Sequence, residues 1–190
     1  MNAKIELWFP TPIYYVDNVF GNKYNEIKKI FDSHKYDTKR NEYFNVETSK
    51  KDLGNSESQL HQIEKFKPVF DVLNTHVSHF AKKLGYTNNL NIDTSWVNKS
   101  VKGDYLYPHV HEFSIISGAY YVKATSDDKL YFKKNIMDMK RPALKQNNIN
   151  QRVIEYPCES DKLILFLSDT LHMTLPQKAE EKMTLSFNYK

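Results

Sequence analysis

A chain of 190 residues with 40% hydrophobic and 26% charged side chains carries enough apolar material for one packed domain and too much for a disordered segment. Its net charge of +4 is mild, which argues against a nucleic-acid partner, and no apolar run approaches the roughly 20 residues of a membrane span. The single cysteine, Cys158, excludes an internal disulfide, and the opening Met1–Glu6 lacks the apolar stretch of a signal peptide, so a cytoplasmic protein is expected.

Residues Ile5 to Val16 are aromatic and β-branched but broken by Pro10 and Pro12. Proline cannot donate to a strand ladder, so an edge strand or an extended entry segment is expected there. Asn22 is a favourable N-cap for a helix that places Tyr24, Ile27, Ile30 and Phe31 on one face. Residues 33–58 are polar and read as mostly irregular. Helical spacing returns with Leu60, Ile63 and Phe66. After Pro68 it continues through Val69, Phe70, Leu73, Val77, Phe80 and Leu84, with Gly85 placed to close the helix.

Beyond Asn89 the pattern changes period. Short β-like runs follow at 90–97, 105–111, 115–122, 130–132, 152–156, 163–167, 171–175 and 183–188. Eight such runs with turn-like breaks, in a chain that is 14% aromatic, predict a sandwich or barrel. The expected fold is therefore mainly β with N-terminal helices packed on one sheet. It forms a single domain over 1–190, with the entry segment and helices in 1–89 and a core of about eight strands in 90–190. The stretch 133–151 between two of the runs is polar and basic. Lys133, Lys134, Lys140, Arg141, Lys145 and Arg152 make it either a solvated surface loop or a lid that grips an anionic substrate.

Seven histidines are present, and three stand apart. His109 and His111 are two residues apart in a β-like run and so point to one face. His172 follows the apolar run 163–167. Imidazole suits iron, zinc, copper and nickel, and a site with three protein ligands leaves coordination positions open for catalysis. His34, His61, His76 and His79 have no such setting and are read as ordinary core or surface side chains.

The run Trp96-Val97-Asn98, then Gly103, then Pro108-His109-Val110-His111, then Ser117-Gly118-Ala119-Tyr120-Tyr121-Val122 resembles the 2-oxoglutarate/Fe(II) oxygenase family of bacteria and phages. The opening Phe9-Pro10-Thr11-Pro12-Ile13-Tyr14 fits it too, as does the close, Asp161 to Ser168, His172 and Lys182 to Asn188. The resemblance implies a double-stranded β-helix (jelly-roll) core, Fe(II), and 2-oxoglutarate as cosubstrate. It further implies oxidation of an unidentified substrate by molecular oxygen, with release of succinate and CO2. By position it makes His109, His111 and His172 the metal ligands. Lys182, ten residues past His172, stands where the family places a cation for the far carboxylate of 2-oxoglutarate, with Thr184 beside it. Lysine there is a point charge without the bidentate fork of arginine. Asn98, Tyr105 and Tyr120 are expected as polar pocket contacts.

One departure matters. The usual facial triad is two histidines and one carboxylate, but the second position here is His111. Glu112 and Asp169 are the nearby acids that could supply a carboxylate, as second choices: strand alternation points Glu112 to the opposite face, and Asp169 is read first as a turn former or a partner to an imidazole N–H. Two other readings stay open: a cupin-like metalloenzyme that does not use 2-oxoglutarate, and a non-catalytic jelly-roll module. The aromatic N-terminal segment leaves room for a homodimer.

Overall fold

The structure is a computed structural model that describes residue 4 and residues 10–41, 46–48, 59–134, 145, 147 and 149–190. The expected entry segment over Ile5 to Phe9, part of the irregular stretch 33–58, and positions 135–144, 146 and 148 of the basic stretch lie outside the described residues.

The described chain runs β1 (Ile13–Val16), α1 (Tyr24–Asp32), β2 (Lys39–Asn41), β3 (Val46–Thr48), α2 (Lys67–Lys83), then β4 (Ile92–Val101), β5 (Leu106–His109), β6 (Ile116–Lys123), β7 (Lys129–Lys133), β8 (Val153–Pro157), β9 (Lys162–Leu167), β10 (His172–Thr174) and β11 (Glu181–Tyr189). Short 3-10 turns at Gly21–Lys23, Leu60–Gln62 and Glu64–Phe66 precede the helices. Two sheets face each other: a seven-stranded one in the order β1-β9-β6-β11-β4-β3-β2, and a four-stranded one in the order β5-β10-β7-β8. The strands pair antiparallel, with one isolated parallel bridge from Gln59 to Ser95 of β4. This is a jelly-roll double-stranded β-helix, and all eight runs expected after Asn89 are strands of it.

The first half of the chain contributes more to the sheet than its pattern suggests. β1 is an edge strand that begins directly after Pro12, and it pairs with β9. The β2–β3 hairpin lies inside a stretch that reads as irregular, and its three-residue strands are too short to show a period of two.

The start of α1 differs from the expected Asn22 cap. Asn22 sits in the preceding 3-10 turn, and no side chain in the neighbourhood caps the helix. The carboxylate of Asp161 instead accepts from the backbone N–H of Phe20 (3.0 Å) and of Gly21 (3.0 Å). An acid from the far end of the sequence thus satisfies donors that open the turn, which no local pattern could reveal. The end of α2 follows expectation. Gly85, at φ +91°, donates to the Lys82 carbonyl at 3.1 Å, and Tyr86 donates to that of Ala81 at 3.0 Å. That is a Schellman closure, which glycine enters without strain.

The core lies in two layers. Phe31 of α1 and Val69, Phe70, Leu73, Val77 and Phe80 of α2 bury against the outer face of the large sheet, where Val97, Tyr120, Val122, Leu163, Leu165, Leu185 and Phe187 meet them. Gly118 is required here. A Cβ on it would come within 2.3 Å of the Phe187 ring and 2.7 Å of Leu165. The second layer lies between the sheets and includes Tyr121, Leu130, Phe132, Ile164 and Phe166.

Candidate metal centre

Strand register sets the chemistry of the space between the sheets. Along the inner face of the large sheet, side chains fall in cross-strand rows, because alternate residues share a face. Lys182 pairs with Ser100. Two residues further along β11, Thr184 pairs with Asn98 on one side and Tyr121 on the other, and Thr48 of β3 lies next to Asn98. The next row joins Ala119, Ser186 and Trp96. These residues line a cavity of about 150 Å³.

The facing wall is the small sheet. His109 of β5 and His172 of β10 are register partners, and His111 follows just beyond β5. The ring centroids lie 4.2 Å (109–172), 5.0 Å (111–172) and 5.2 Å (109–111) apart. One ligand nitrogen from each ring falls within 4.8 Å of the others, so a single ion can be held by all three.

Two of the rings are oriented by the backbone. Nδ1 of His109 lies 2.7 Å from the Tyr107 carbonyl, and Nδ1 of His172 lies 2.9 Å from that of Thr170. A carbonyl only accepts, so each Nδ1 carries the proton and each Nε2 keeps its lone pair for a metal. Burial, reinforced by neighbouring His109 and opposed by the Thr170 carbonyl, pushes the pKa of His172 down to about 3. The ring, packed against Phe166, is therefore neutral at ordinary pH, the form a ligand needs.

No carboxylate completes the group among the described residues: Glu112 and Asp169 are both exposed, and the cluster consists of the three imidazoles. The donor set accepts a divalent ion but leaves both of its positive charges for exogenous ligands. The opposite wall answers with a cation. Lys182 is 7% exposed, lines the cavity, and among the described residues has no hydrogen-bond or ion-pair partner. Asp104, 4% exposed, also lines the cavity, but it accepts from the Val101 N–H at 3.0 Å and makes no ion pair with Lys182, so the buried ammonium remains costly unless a further anion joins it. The site therefore fits a metal at one wall and a carboxylate at the other.

Of the remaining expected contacts, Thr184, Asn98 and Tyr105 line the cavity. Tyr120 does not. It lies on the outer face of the sheet, packed on Phe20 and Phe31, with its hydroxyl donating to Asp161 at 3.1 Å. Its neighbour Tyr121 takes the inner position. Two consecutive tyrosines hide the phase of the strand, and only the pairing with Thr184 fixes it. Trp96, which approaches His111 at 5.8 Å between ring centroids, and Thr48 are lining residues that sequence reasoning did not select. Trp96 stood inside a quoted motif, whereas nothing local marks Thr48. The other histidines have packing roles: His61 bonds Ser95, His76 bonds the Tyr14 hydroxyl beside His79, and His34 packs on Tyr36 and Phe66.

A two-sheet β fold with three imidazoles converging in its cavity defines a jelly-roll protein able to hold a metal ion. Residues 94–188 match the family model described as 2OG-Fe(II) oxygenase, and the chain belongs to that family. It is thus an oxidoreductase of the 2-oxoglutarate-dependent dioxygenase type, with Fe(II) and 2-oxoglutarate as its cofactors. Solved structures share the fold at low identity. A 2OG-Fe(II) oxygenase family oxidoreductase from Burkholderia pseudomallei superposes with a TM-score of 0.68 at 10% identity, covering 94% of this chain and 85% of that one. HygX from Streptomyces hygroscopicus, solved with nickel and 2-oxoglutarate bound, gives 0.63 at 13%, covering 94% and 82%. The non-heme α-ketoglutarate-dependent epimerase SnoN from nogalamycin biosynthesis gives 0.63 at 11%, covering 94% and 78%. No curated protein matches the sequence. No helix among the described residues is long and apolar enough to cross a membrane.

Proposed function

We propose that the chain oxidises a C–H bond of its substrate while converting 2-oxoglutarate to succinate and CO2, with His109, His111 and His172 as the metal ligands. The reading rests on one observation above all: the buried ammonium of Lys182, which has no hydrogen-bond or ion-pair partner among the described residues, faces the same cavity as the three imidazoles. A diacid can bind the metal at one end and Lys182 at the other. Fe(II) and 2-oxoglutarate supply the oxygen chemistry, and the protein supplies position and a water-poor cavity.

Each residue has a definable task. Nε2 of His109 and of His172 would offer their lone pairs to the ion, because their Nδ1 protons are held by carbonyls. Lys182 would donate to the far carboxylate, and Thr184, two residues on, would offer it a hydroxyl. Asn98, which donates to Ser186 at 3.4 Å, stands in the row beside Thr184 and holds the ligand's flank. Trp96, Phe166 and Leu130 exclude water around the metal.

The test is anaerobic addition of Fe(II) and then 2-oxoglutarate, read by visible absorption. A weak charge-transfer band is expected, lost in Lys182→Ala at cosubstrate levels that saturate the wild type. Oxygen should then yield succinate. Iron binding without such a band would overturn the 2-oxoglutarate reading and favour a metalloenzyme that does not use it.

A further inference from the structure

Beyond Trp96 the inner face of the large sheet carries one more row, which contacts neither cavity nor ligand. Ser117 of β6, Asn188 of β11 and Thr94 of β4 are register partners across three strands. All four members of the resulting chain are joined by hydrogen bonds. Ser117 Oγ donates to Asn188 Oδ1 at 2.8 Å, and Asn188 Nδ2 donates to Thr94 Oγ1 at 3.1 Å. Ser117 has one proton, already committed to Asn188, so the 2.8 Å contact with Ser168 Oγ has Ser168 as donor. Ser117 and Ser168 are each 1% exposed. None of the four residues lines the cavity.

Apolar side chains would fill this space more cheaply than polar groups that must all be satisfied. What the polar row adds is a fixed point for Ser168. That residue opens the turn between β9 and β10, and its backbone grips the segment after β5 from both sides. The N–H of His111 donates to the Ser168 carbonyl at 2.8 Å, and the Ser168 N–H donates to the Ile115 carbonyl at 3.0 Å. Two residues on, the Thr170 carbonyl orients the ring of His172, and the Thr170 N–H donates back to Leu167 at 2.9 Å. One side chain thus ties down the backbone of one imidazole and the turn that aims another.

We infer that Ser117, Asn188 and Thr94 form a positioning row which, through Ser168, sets the spacing of His111 and His172 and so the affinity of the site for its metal. The inference rests on the three imidazoles being the ligands, as proposed above. Outer groups that orient ligands are commonly worth 10–100-fold in metal affinity, and a row acting through one backbone link belongs at the lower end.

Co(II) serves as the spectroscopic probe, with its dissociation constant read by titration and the ligand-ring N–H protons read as paramagnetically shifted proton resonances. In the wild type, shifted exchangeable signals from the imidazoles are expected. In Ser117→Ala the dissociation constant should rise about tenfold and those signals should move. The rise in melting temperature on Co(II) saturation should shrink as well, which a merely structural role would leave unchanged. Ser117→Cys keeps the side chain's size but donates weakly, so it should behave as Ala does, and it decides the matter if the alanine variant fails to fold. A wild type that binds Co(II) without imidazole signals would overturn the ligand assignment and this inference with it. Intact wild-type signals, with both variants within twofold of its affinity and spectrum, would overturn the positioning row alone.

Discussion

The two faces of β6 and β11 do opposite work. On the outer face Gly118, Tyr120, Val122, Leu185 and Phe187 are sealed under α1 and α2. On the inner face, one residue over, Ser117, Ala119, Tyr121, Lys182, Thr184, Ser186 and Asn188 face the small sheet in rows that run from a cation, past the metal wall, to a hydroxyl and amide chain. The same backbone therefore carries stability on one side and chemistry on the other, with a period of two separating them. Substitutions of the polar inner-face residues that line the cavity, such as Lys182 and Thr184, should cost ligand affinity and leave folding largely intact, unlike Tyr121, which belongs to the core layer between the sheets. Substitutions on the outer face should do the reverse.

The largest expected effect tests the metal wall. His172→Ala should weaken Co(II) or Fe(II) binding by more than about 100-fold, since a lost ligand costs more than a lost supporting contact. Metal content after dialysis checks this. Lys182→Ala should leave metal affinity unchanged and raise the dissociation constant for 2-oxoglutarate by roughly 10–100-fold, the equivalent of a charge-assisted hydrogen bond of about 1.5–3 kcal/mol. Calorimetric titration of the metal-loaded protein measures it. Were Lys182→Ala to unfold the chain instead, the division between the faces would fail at its most polar point.

Much of this arrangement is legible in the sequence, for physical reasons. The eight runs after Asn89 are legible because turn residues bound them; most alternate, whereas β9, buried on both faces, shows as a continuous apolar run. Gly85 announces the end of α2 because only one backbone state closes a helix that way. The three histidines and Lys182 are legible chiefly because the resemblance ties distant stretches together; the strand face expected to align His109 with His111 ends at His109, and His111 is held instead by its N–H bond to the Ser168 carbonyl at 2.8 Å. What stays hidden is whatever depends on register or on long-range pairing. The phase at Tyr120-Tyr121, the Asp161 carboxylate at the start of α1, the place of Thr48 beside Asn98 and the Ser117–Ser168 link are all set by contacts between residues far apart in the chain.

The metal wall also makes the metal-free protein sensitive to acid. In the unfolded chain His172 takes up a proton near pH 6.5, whereas in the folded protein burial delays this to about pH 3. Between those values the unfolded state binds the extra proton. Stability is therefore complete above about pH 6.5 and falls as the pH drops through the window, by up to about 1.4 kcal/mol per pH unit. Burial also lowers the pKa of His61 and His76, which contribute with the same sign. Urea midpoints between pH 4 and pH 7 should fall less steeply for His172→Gln, which has no proton to gain. An unchanged slope would mean that the ring is not buried as a neutral group.

The smallest effect is the sharpest test of the phase. Tyr120→Phe removes one hydroxyl that donates to Asp161, the carboxylate that also receives the Phe20 and Gly21 N–H groups. The carboxylate keeps its backbone donors, so the loss should be about 1 kcal/mol of stability, the net worth of one hydrogen bond. Metal and 2-oxoglutarate affinities should not move, because the ring faces α1 and not the cavity. Tyr121, on the adjacent residue, lines the cavity while its buried hydroxyl bonds Cys158 beside it, so Tyr121→Phe disturbs that wall and should alter cosubstrate binding more than Tyr120→Phe does. If Tyr120→Phe shifted the 2-oxoglutarate dissociation constant and Tyr121→Phe did not, β6 would have to sit one residue out of its present register, and every row built on its pairing with β11 would move with it.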